Sequence, residues 1–102
     1  MKSAFIIRNA DIKRVLIGIP KGHKHYRCII ELKTGQILVL QEASIANIVR
    51  AYVIVKTHPQ KQAIELQCKE LRDRKPGFAE YQLLEIERTE EKIQEELGKI
   101  IS

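Results

Sequence analysis

The sequence contains no tryptophan, and aromatic residues make up only 5% of its 102 positions. A hydrophobic core must therefore be built from isoleucine, valine and leucine. Glycine-rich phosphate loops and the catalytic patterns GxSxG and HExxH are absent as well. The only aspartates are Asp11 and Asp73, and the glutamates near the C-terminus form a run that is typical of a solvated helix face. An enzyme is consequently the third function that we consider, behind two kinds of binding protein.

Cysteine is scarce, and its placement excludes two common uses. Cys28 and Cys68 form no CxxC pair, so neither a disulfide framework nor the usual zinc spacing is present. Each lies among aliphatic residues in a strand-like segment, and we expect both to be small buried hydrophobic side chains. His23 and His25 would point to the same side of an extended segment, which makes them weak candidates for metal ligands. The sequence places no third ligand near them, and we predict neither a metal nor a cofactor.

Long hydrophobic runs are also missing. Phe5-Ile6-Ile7 is followed at once by Arg8 and is too short for the core of a signal peptide. The longest apolar stretch, from Ile45 to Val55, is interrupted by Asn47 and Arg50 and is too short to cross a bilayer. We therefore expect a cytoplasmic protein with no membrane partner.

Positive charge is in excess, and it is unevenly distributed. The chain has 18 Lys/Arg and 13 Asp/Glu, a net charge of +5. From Met1 to Lys75 there are 15 basic residues against 6 acidic ones, whereas from Pro76 to Ser102 there are 3 against 7. This polarity suits an anionic partner on one side, or a second copy that docks tail to body.

The length and composition indicate one globular domain, residues 1–102, of the α+β class. We predict an antiparallel sheet built from hairpins, one buried helix and an amphipathic C-terminal helix. Strands are predicted at residues 4–8, 12–19, 26–33 and 36–41. Pro20-Lys21-Gly22 and Lys33-Thr34-Gly35 supply the turns. The strand at 36–41 is apolar on both faces and is therefore predicted to lie inside the sheet.

The second half of the sequence begins with a helix. Ser44 is a suitable N-cap, apolar residues follow at spacings of three and four, and Pro59 ends the element. Because this helix is apolar on nearly all sides, we predict that it is buried against the sheet. From about 89 to 101, Thr89 caps a second helix whose isoleucine and leucine residues recur at spacings of four and three.

Residues 60–87 allow two interpretations. Ile64, Cys68 and Leu71 repeat at helical spacing, but Leu66 does not fall on that stripe. We favour a second hairpin, with a turn at RDRKPG (residues 72–77), while a helix stays the alternative.

Basic residues concentrate in three segments, and they carry the main functional hypothesis. Lys and Arg on loops reach phosphates readily, and an adjacent aromatic ring can stack on an unpaired base. If the second hairpin forms, the first and third segments could lie at one end of the sheet. The candidate nucleic-acid-binding residues are Lys21, Lys24, Tyr26 and Arg27 in the first loop, Lys56 and Lys61 around Pro59, and Arg72, Arg74 and Lys75 in RDRKPG.

The sequence thus predicts a non-catalytic binding module, with nucleic acid (RNA or DNA) as the named partner. The alternative is a self-associating or adaptor protein that contacts another polypeptide through its apolar helix faces. In that case we expect a homodimer through the C-terminal helix, whose last turns are crowded with apolar residues, namely Ile93, Leu97, Ile100 and Ile101.

Overall fold

The computed structural model describes residues 4–72 and 79–101 of the chain. The chain divides into two compact units, Met1–Ile45 and Ala46–Ser102. The predicted α+β class is confirmed, since two antiparallel sheets and two helices are present. The strands form one sheet of three and one of two, where the sequence predicted a single sheet. That residues 1–102 fold as one domain stays a prediction.

The secondary structure follows the chain in a simple order. The first unit contains a 3-10 turn (Asn9–Asp11) and the strands β1 (Ile12–Gly18), β2 (Arg27–Leu32) and β3 (Ile37–Gln41). Helix α1 (Glu42–Thr57) begins directly after β3, and the second unit continues with β4 (Leu66–Glu70), β5 (Tyr81–Glu85) and α2 (Glu90–Ile101).

The three-stranded sheet has the order β1-β2-β3, with both pairs antiparallel. The prediction that residues 36–41 lie inside the sheet is wrong, because β3 is an edge strand. The strand predicted at residues 4–8 is also absent. Arg8 and Asp11 instead close the 3-10 turn, with the Arg8 N–H donating to Asp11 Oδ2 at 2.9 Å and the Asp11 N–H donating to the Arg8 carbonyl at 2.8 Å.

Both predicted turns of the first unit are confirmed, and each uses a glycine with positive φ. In the loop after β1, the His23 N–H donates to the Pro20 carbonyl at 2.9 Å, and Gly22 has a φ of 84°. After β2, the Gly35 N–H donates to the Leu32 carbonyl at 2.9 Å, and Gly35 has a φ of 98°. Glycine adopts these angles without the steric cost that a Cβ would bring.

A β-bulge interrupts the pairing of β1 with β2 near the start of β1. The register with β2 shifts between Ile12 and Arg14, so that Lys13 and Arg14 lie beside the same residue of β2, Glu31. Arg14 Nε lies 2.7 Å and Lys13 Nζ 3.8 Å from the Glu31 carboxylate. The hydrogen bond from Arg14, with the charge of Lys13, lowers the pKa of Glu31.

The faces of this sheet are rich in apolar residues that stay in contact with solvent. Opposite residues of an antiparallel ladder project from the same face. One face carries the rows Val15–Ile30–Leu38 and Ile17–Cys28–Leu40, and the other carries Leu16–Ile29–Val39 beside the ion pairs of Glu31. Cys28 and Leu32 are the buried side chains among the described residues of this unit. Ile17 is 69% exposed and Val39 57%.

Helix α1 ends before Pro59 as predicted, but it begins at Glu42, ahead of the predicted cap Ser44, and its predicted burial is wrong. None of its residues is buried, and Tyr52 is 63% exposed. The apolar side chains spread around the helix axis, and Ile48, Val49 and Val53 stay about half exposed. An apolar sequence favours burial only where a surface covers it.

In the second unit, β4 and β5 pair antiparallel, as in the hairpin that we favoured over a helix, while residues 73–77 of its predicted turn lie outside the described residues. Asn47 of α1 reaches this hairpin, since its Oδ1 accepts a hydrogen bond from the Leu83 N–H at 2.8 Å. The predicted C-terminal helix is confirmed as α2, with Ile93 buried and the side chains of its last turns exposed. No helix of residues 4–72 and 79–101 is long and apolar enough to cross a membrane.

Candidate nucleic-acid interface

The basic loop, defined as residues 19–27, comprises the connection between β1 and β2 with the first residue of β2, and it carries the first candidate segment. Lys21 occupies the tip of the turn closed by Pro20 and His23, and Lys24 and Tyr26 follow it with exposed side chains. The turn after Gly18 thus presents cations to solvent at one end of the three-stranded sheet.

Glu42, the first residue of α1, holds the other end of the basic loop. Its Oε1 accepts a hydrogen bond from the Tyr26 N–H at 2.7 Å, and His25 Nδ1 lies 4.0 Å from the same oxygen. A carboxylate that accepts from a backbone amide fixes the chain direction at that point. The loop is therefore anchored by its closing turn at one side and by Glu42 at the other.

Arg27 contributes to the loop differently from the two lysines. One nitrogen of its guanidinium group donates to the carbonyl oxygens of Tyr26 at 3.0 Å and His25 at 3.4 Å. The side chain is half-buried, and it braces the backbone of the loop. Among the described residues, no acidic side chain forms a salt bridge with Arg27.

Positive charge is partly neutralised elsewhere in the first unit but not on the basic loop. Arg8 pairs with Asp11, and the two basic residues of the bulge pair with Glu31. Among the described residues, no acidic side chain forms a salt bridge with Lys21 or Lys24. The loop thus offers two lysine ammonium groups to a partner.

The division into units sharpens the charge asymmetry. The sequence from Met1 to Ile45 has 8 Lys/Arg and 3 Asp/Glu, a balance of +5, which equals the net charge of the whole chain. The sequence from Ala46 to Ser102 has 10 of each and no net charge. The long-range attraction for anions therefore originates in the first unit.

The other predicted segments do not join the basic loop on its sheet. The expectation that the first and third segments share one end of a single sheet is wrong, because the two hairpins belong to different sheets. Lys61 is neutralised by Glu85, with Nζ 2.6 Å from Oε2. Lys56 and Arg72 are exposed in the second unit. The last two candidates, Arg74 and Lys75, lie outside the described residues.

An ion-paired cleft in the second unit was missed by the sequence reasoning. It has a volume of 630 Å³ and lies between the hairpin and the start of α2, with Ala63 and Ile93 among its lining residues. Arg88 bridges Glu65 and Glu96, with its Nη1 2.7 Å from Glu65 Oε1. No local signal in the sequence predicts this bridge, because Glu65 and Glu96 lie 23 and 8 positions from Arg88.

The electrostatics of this cleft indicate a clamp and give no support for acid–base chemistry. The pKa of Glu65 is lowered by a hydrogen bond from the Gln67 amide and further by Arg88. The pKa of Arg88 is raised by its hydrogen bonds to Glu65 and Glu96. A general acid at neutral pH needs a carboxyl group whose pKa is raised, whereas the pKa of Glu65 is lowered.

The candidate metal ligands and the cysteines are placed separately. Within residues 4–72 and 79–101, no three His, Cys, Asp or Glu side chains lie close enough together to hold a metal ion. His23 and His25 both lie on the basic loop and are exposed. Cys28 is buried as predicted, but Cys68 is exposed. Its predicted burial is wrong because β4 belongs to a sheet of only two strands, which covers little surface.

No protein-family model, no curated protein and no solved structure matches this chain. Its function has to be inferred from its own charges and surfaces.

Proposed function

We propose that this chain is a non-catalytic binding module whose first unit binds nucleic acid through the basic loop. One observation carries the proposal: among the described residues, no acidic side chain forms a salt bridge with Lys21 or Lys24, and their unit holds the entire net charge of the chain. The proposed setting is the cytoplasm, where two free cysteines remain reduced.

The mode of binding follows from the chemistry of the loop. Lysine ammonium groups on an exposed loop contact phosphates and release condensed counterions, which gives affinity without sequence preference. Tyr26 is 51% exposed and adjoins these cations, so an unpaired base has a ring to stack on. Such stacking contributes about 1–3 kcal/mol per base, which favours a single strand over a duplex.

The experiment compares two double substitutions that remove the same charge. In the test variant, Lys21 and Lys24 are replaced by alanine; in the matched control, Lys13 and Lys33 are replaced. The control residues lie at the opposite end of the β1–β2 ladder, beside the bulge and the second turn. Binding of a fluorescent single strand is then measured as a function of salt concentration.

The salt dependence gives a quantitative expectation. Each phosphate contact contributes about 0.7 to the slope of log affinity against log salt for a single strand, so the test variant should lose about 1.4 from that slope. The control should keep the slope of the wild type. An equal loss in both variants would mean that binding follows net charge alone, and no binding of the wild type at low salt would end the proposal.

Self-association is a second candidate function, favoured by exposed apolar surface in both units. Among the residues of α2 proposed for a homodimer, Leu97 is 52% exposed, Ile100 56% and Ile101 66%. A helix that leaves its apolar stripe in water gains stability when a second polypeptide covers it. Deletion of residues 97–102 would abolish a dimer formed in this way, and sedimentation of the shortened chain checks it.

A further inference from the structure

Sheet edges of soluble proteins are normally protected against pairing with other chains, and three of the four outer strands of the described chain are protected. The edge of β1 carries the bulge and the charged pair Lys13 and Arg14. In the two-stranded sheet, Asn47 occupies the Leu83 N–H of β5, and β4 ends with the charged residues Lys69 and Glu70.

The outer edge of β3 has none of these protections. Its sequence, ILVLQ, contains no charged residue and no proline, and its register with β2 is free of bulges. Ile37 is 59% exposed, Leu38 40% and Val39 57%. An uncharged, regular and exposed edge strand is a template for another strand.

The backbone groups available at this edge can be identified from the ladder. At the turn, the Leu32 N–H donates to the Gln36 carbonyl at 2.9 Å, so Gln36 directs its backbone groups toward β2. Hydrogen-bonding residues alternate along an antiparallel strand, and the even-numbered residues of β3 therefore face β2 in the same way. The groups available at the outer edge are therefore the N–H and C=O of Ile37 and Val39 and the N–H of Gln41, since the Gln41 C=O accepts the first hydrogen bond of α1.

We propose that β3 pairs antiparallel with β3 of a second copy, about a two-fold axis at Val39, and so joins two three-stranded sheets into one of six strands. This interface lies in the first unit and is distinct from the basic loop and from α2. It goes beyond the proposed nucleic-acid binding and rests on different residues.

The strand is complementary to itself in this register. Val39 lies opposite Val39 of the second copy, Leu38 opposite Leu40, and Ile37 opposite Gln41. The outward backbone groups of one copy thus meet those of the other, and no charged residue of β3 is brought against a like charge. A two-fold axis perpendicular to the sheet also continues each apolar face across the junction. A partner of different sequence would have no such built-in match.

Closure limits the assembly to two copies. After pairing, the outer strands of the six-stranded sheet are the two β1 strands, whose bulge and cations resist further pairing. Each first unit carries +5, and the two therefore repel at a distance. Salt screens that repulsion, so the dimer should strengthen as salt is added.

The first test compares two single substitutions by lysine, one on each edge strand of the three-stranded sheet. Leu16 and Val39 lie in one row on the same face, at opposite sides of Ile29, and they are 47% and 57% exposed. By sedimentation, Val39→Lys should raise the dimer dissociation constant about tenfold or more, since pairing would bury two lysines at the axis. Leu16→Lys should leave it unchanged. Equal weakening by both would indicate face packing and overturn the edge proposal.

The second test checks the proposed register between the two β3 strands. In a Cys68→Ser background, Val39→Cys should form an intermolecular disulfide with mild oxidant. Cα atoms directly opposite in a hydrogen-bonded pair are about 5.5 Å apart, within the range of about 4.4–6.8 Å for a disulfide. Ile37→Cys should not cross-link, because the two Ile37 positions are displaced by four residues, about 14 Å along the strands. A monomer for the wild type, equal cross-linking of both, or open-ended oligomers would each overturn the proposal.

Discussion

Replacement of Leu32 by alanine should destabilise the first unit more than any exposed leucine of the same sheet. Leu32 is only 3% exposed and lies on the central strand, whereas Leu16 on β1 is 47% exposed. Truncation of a buried leucine costs about 2–5 kcal/mol, and the larger values require a rigid cavity. We expect about 2–3 kcal/mol for L32A, because the surrounding apolar rows are open to solvent and can close over the gap. L16A should cost less than about 1 kcal/mol.

Thermal unfolding followed by circular dichroism measures the difference. A loss of 2–3 kcal/mol corresponds to a fall in Tm of about 10–20 °C for a domain of this size. The measurement should be made on the V39K background, since association makes Tm depend on concentration. A matched pair in the second unit, Ile93→Ala against Leu97→Ala, repeats the comparison, because Ile93 is 7% exposed and Leu97 52%.

The same experiment tests whether residues 1–102 are one domain. If they are, L32A and I93A lower the midpoint of one shared transition, even though the two residues lie in different units. Two transitions, each sensitive to only one of these substitutions, would contradict the single-domain prediction. Equal shifts for L32A and L16A would contradict the reasoning that burial decides the cost.

Three further outcomes are expected. Cys68 should react rapidly with a thiol reagent in the native protein, because it is exposed, whereas buried Cys28 should react only after unfolding. Mass spectrometry counts the labelled cysteines, and rapid labelling of both in the native protein would contradict this expectation. Folding lowers the pKa of Glu31 and Glu65. Their contribution to stability is therefore present above the pKa of the unfolded chain, about 4.3, and is lost as pH falls below it. The urea midpoint should drop between about pH 5 and pH 3, and it should drop less in E31Q. Asn47→Ala should cost about 1 kcal/mol through loss of its hydrogen bond to β5, whereas an unchanged midpoint in urea would mean that water replaces it.

Turns and hairpins were predictable from the sequence because short-range chemistry determines them. Gly22 and Gly35 occupy the positive φ angles that their turns require, and both turns form where they were predicted. The helix boundaries also follow local signals, with α1 ending before Pro59 and α2 beginning after Thr89. Each of these features depends on residues within one turn of the chain.

Burial was harder to predict. The sequence shows which side chains are hydrophobic, but it does not show whether another part of the fold covers them. Helix α1 and strand β3 are both apolar on several sides, and we expected both to be interior. In the structure α1 has no buried residue and β3 is an edge. The candidate nucleic-acid interface could not be fully predicted for the same reason. Lys61 was predicted to bind phosphate from its charge, but in the fold it forms a salt bridge with Glu85.

Apolar surface and positive charge in the first unit are best explained together. An exposed, uncharged edge such as β3 normally promotes aggregation, and a net charge of +5 on each unit opposes uncontrolled encounters between copies. The two proposed interactions then respond to salt in opposite directions, since screening strengthens pairing of like-charged copies and weakens contacts between Lys21 or Lys24 and phosphate. A salt titration of the wild type that moved dimerisation and nucleic-acid binding in the same direction would show that they share one surface, and so contradict their assignment to β3 and to the basic loop.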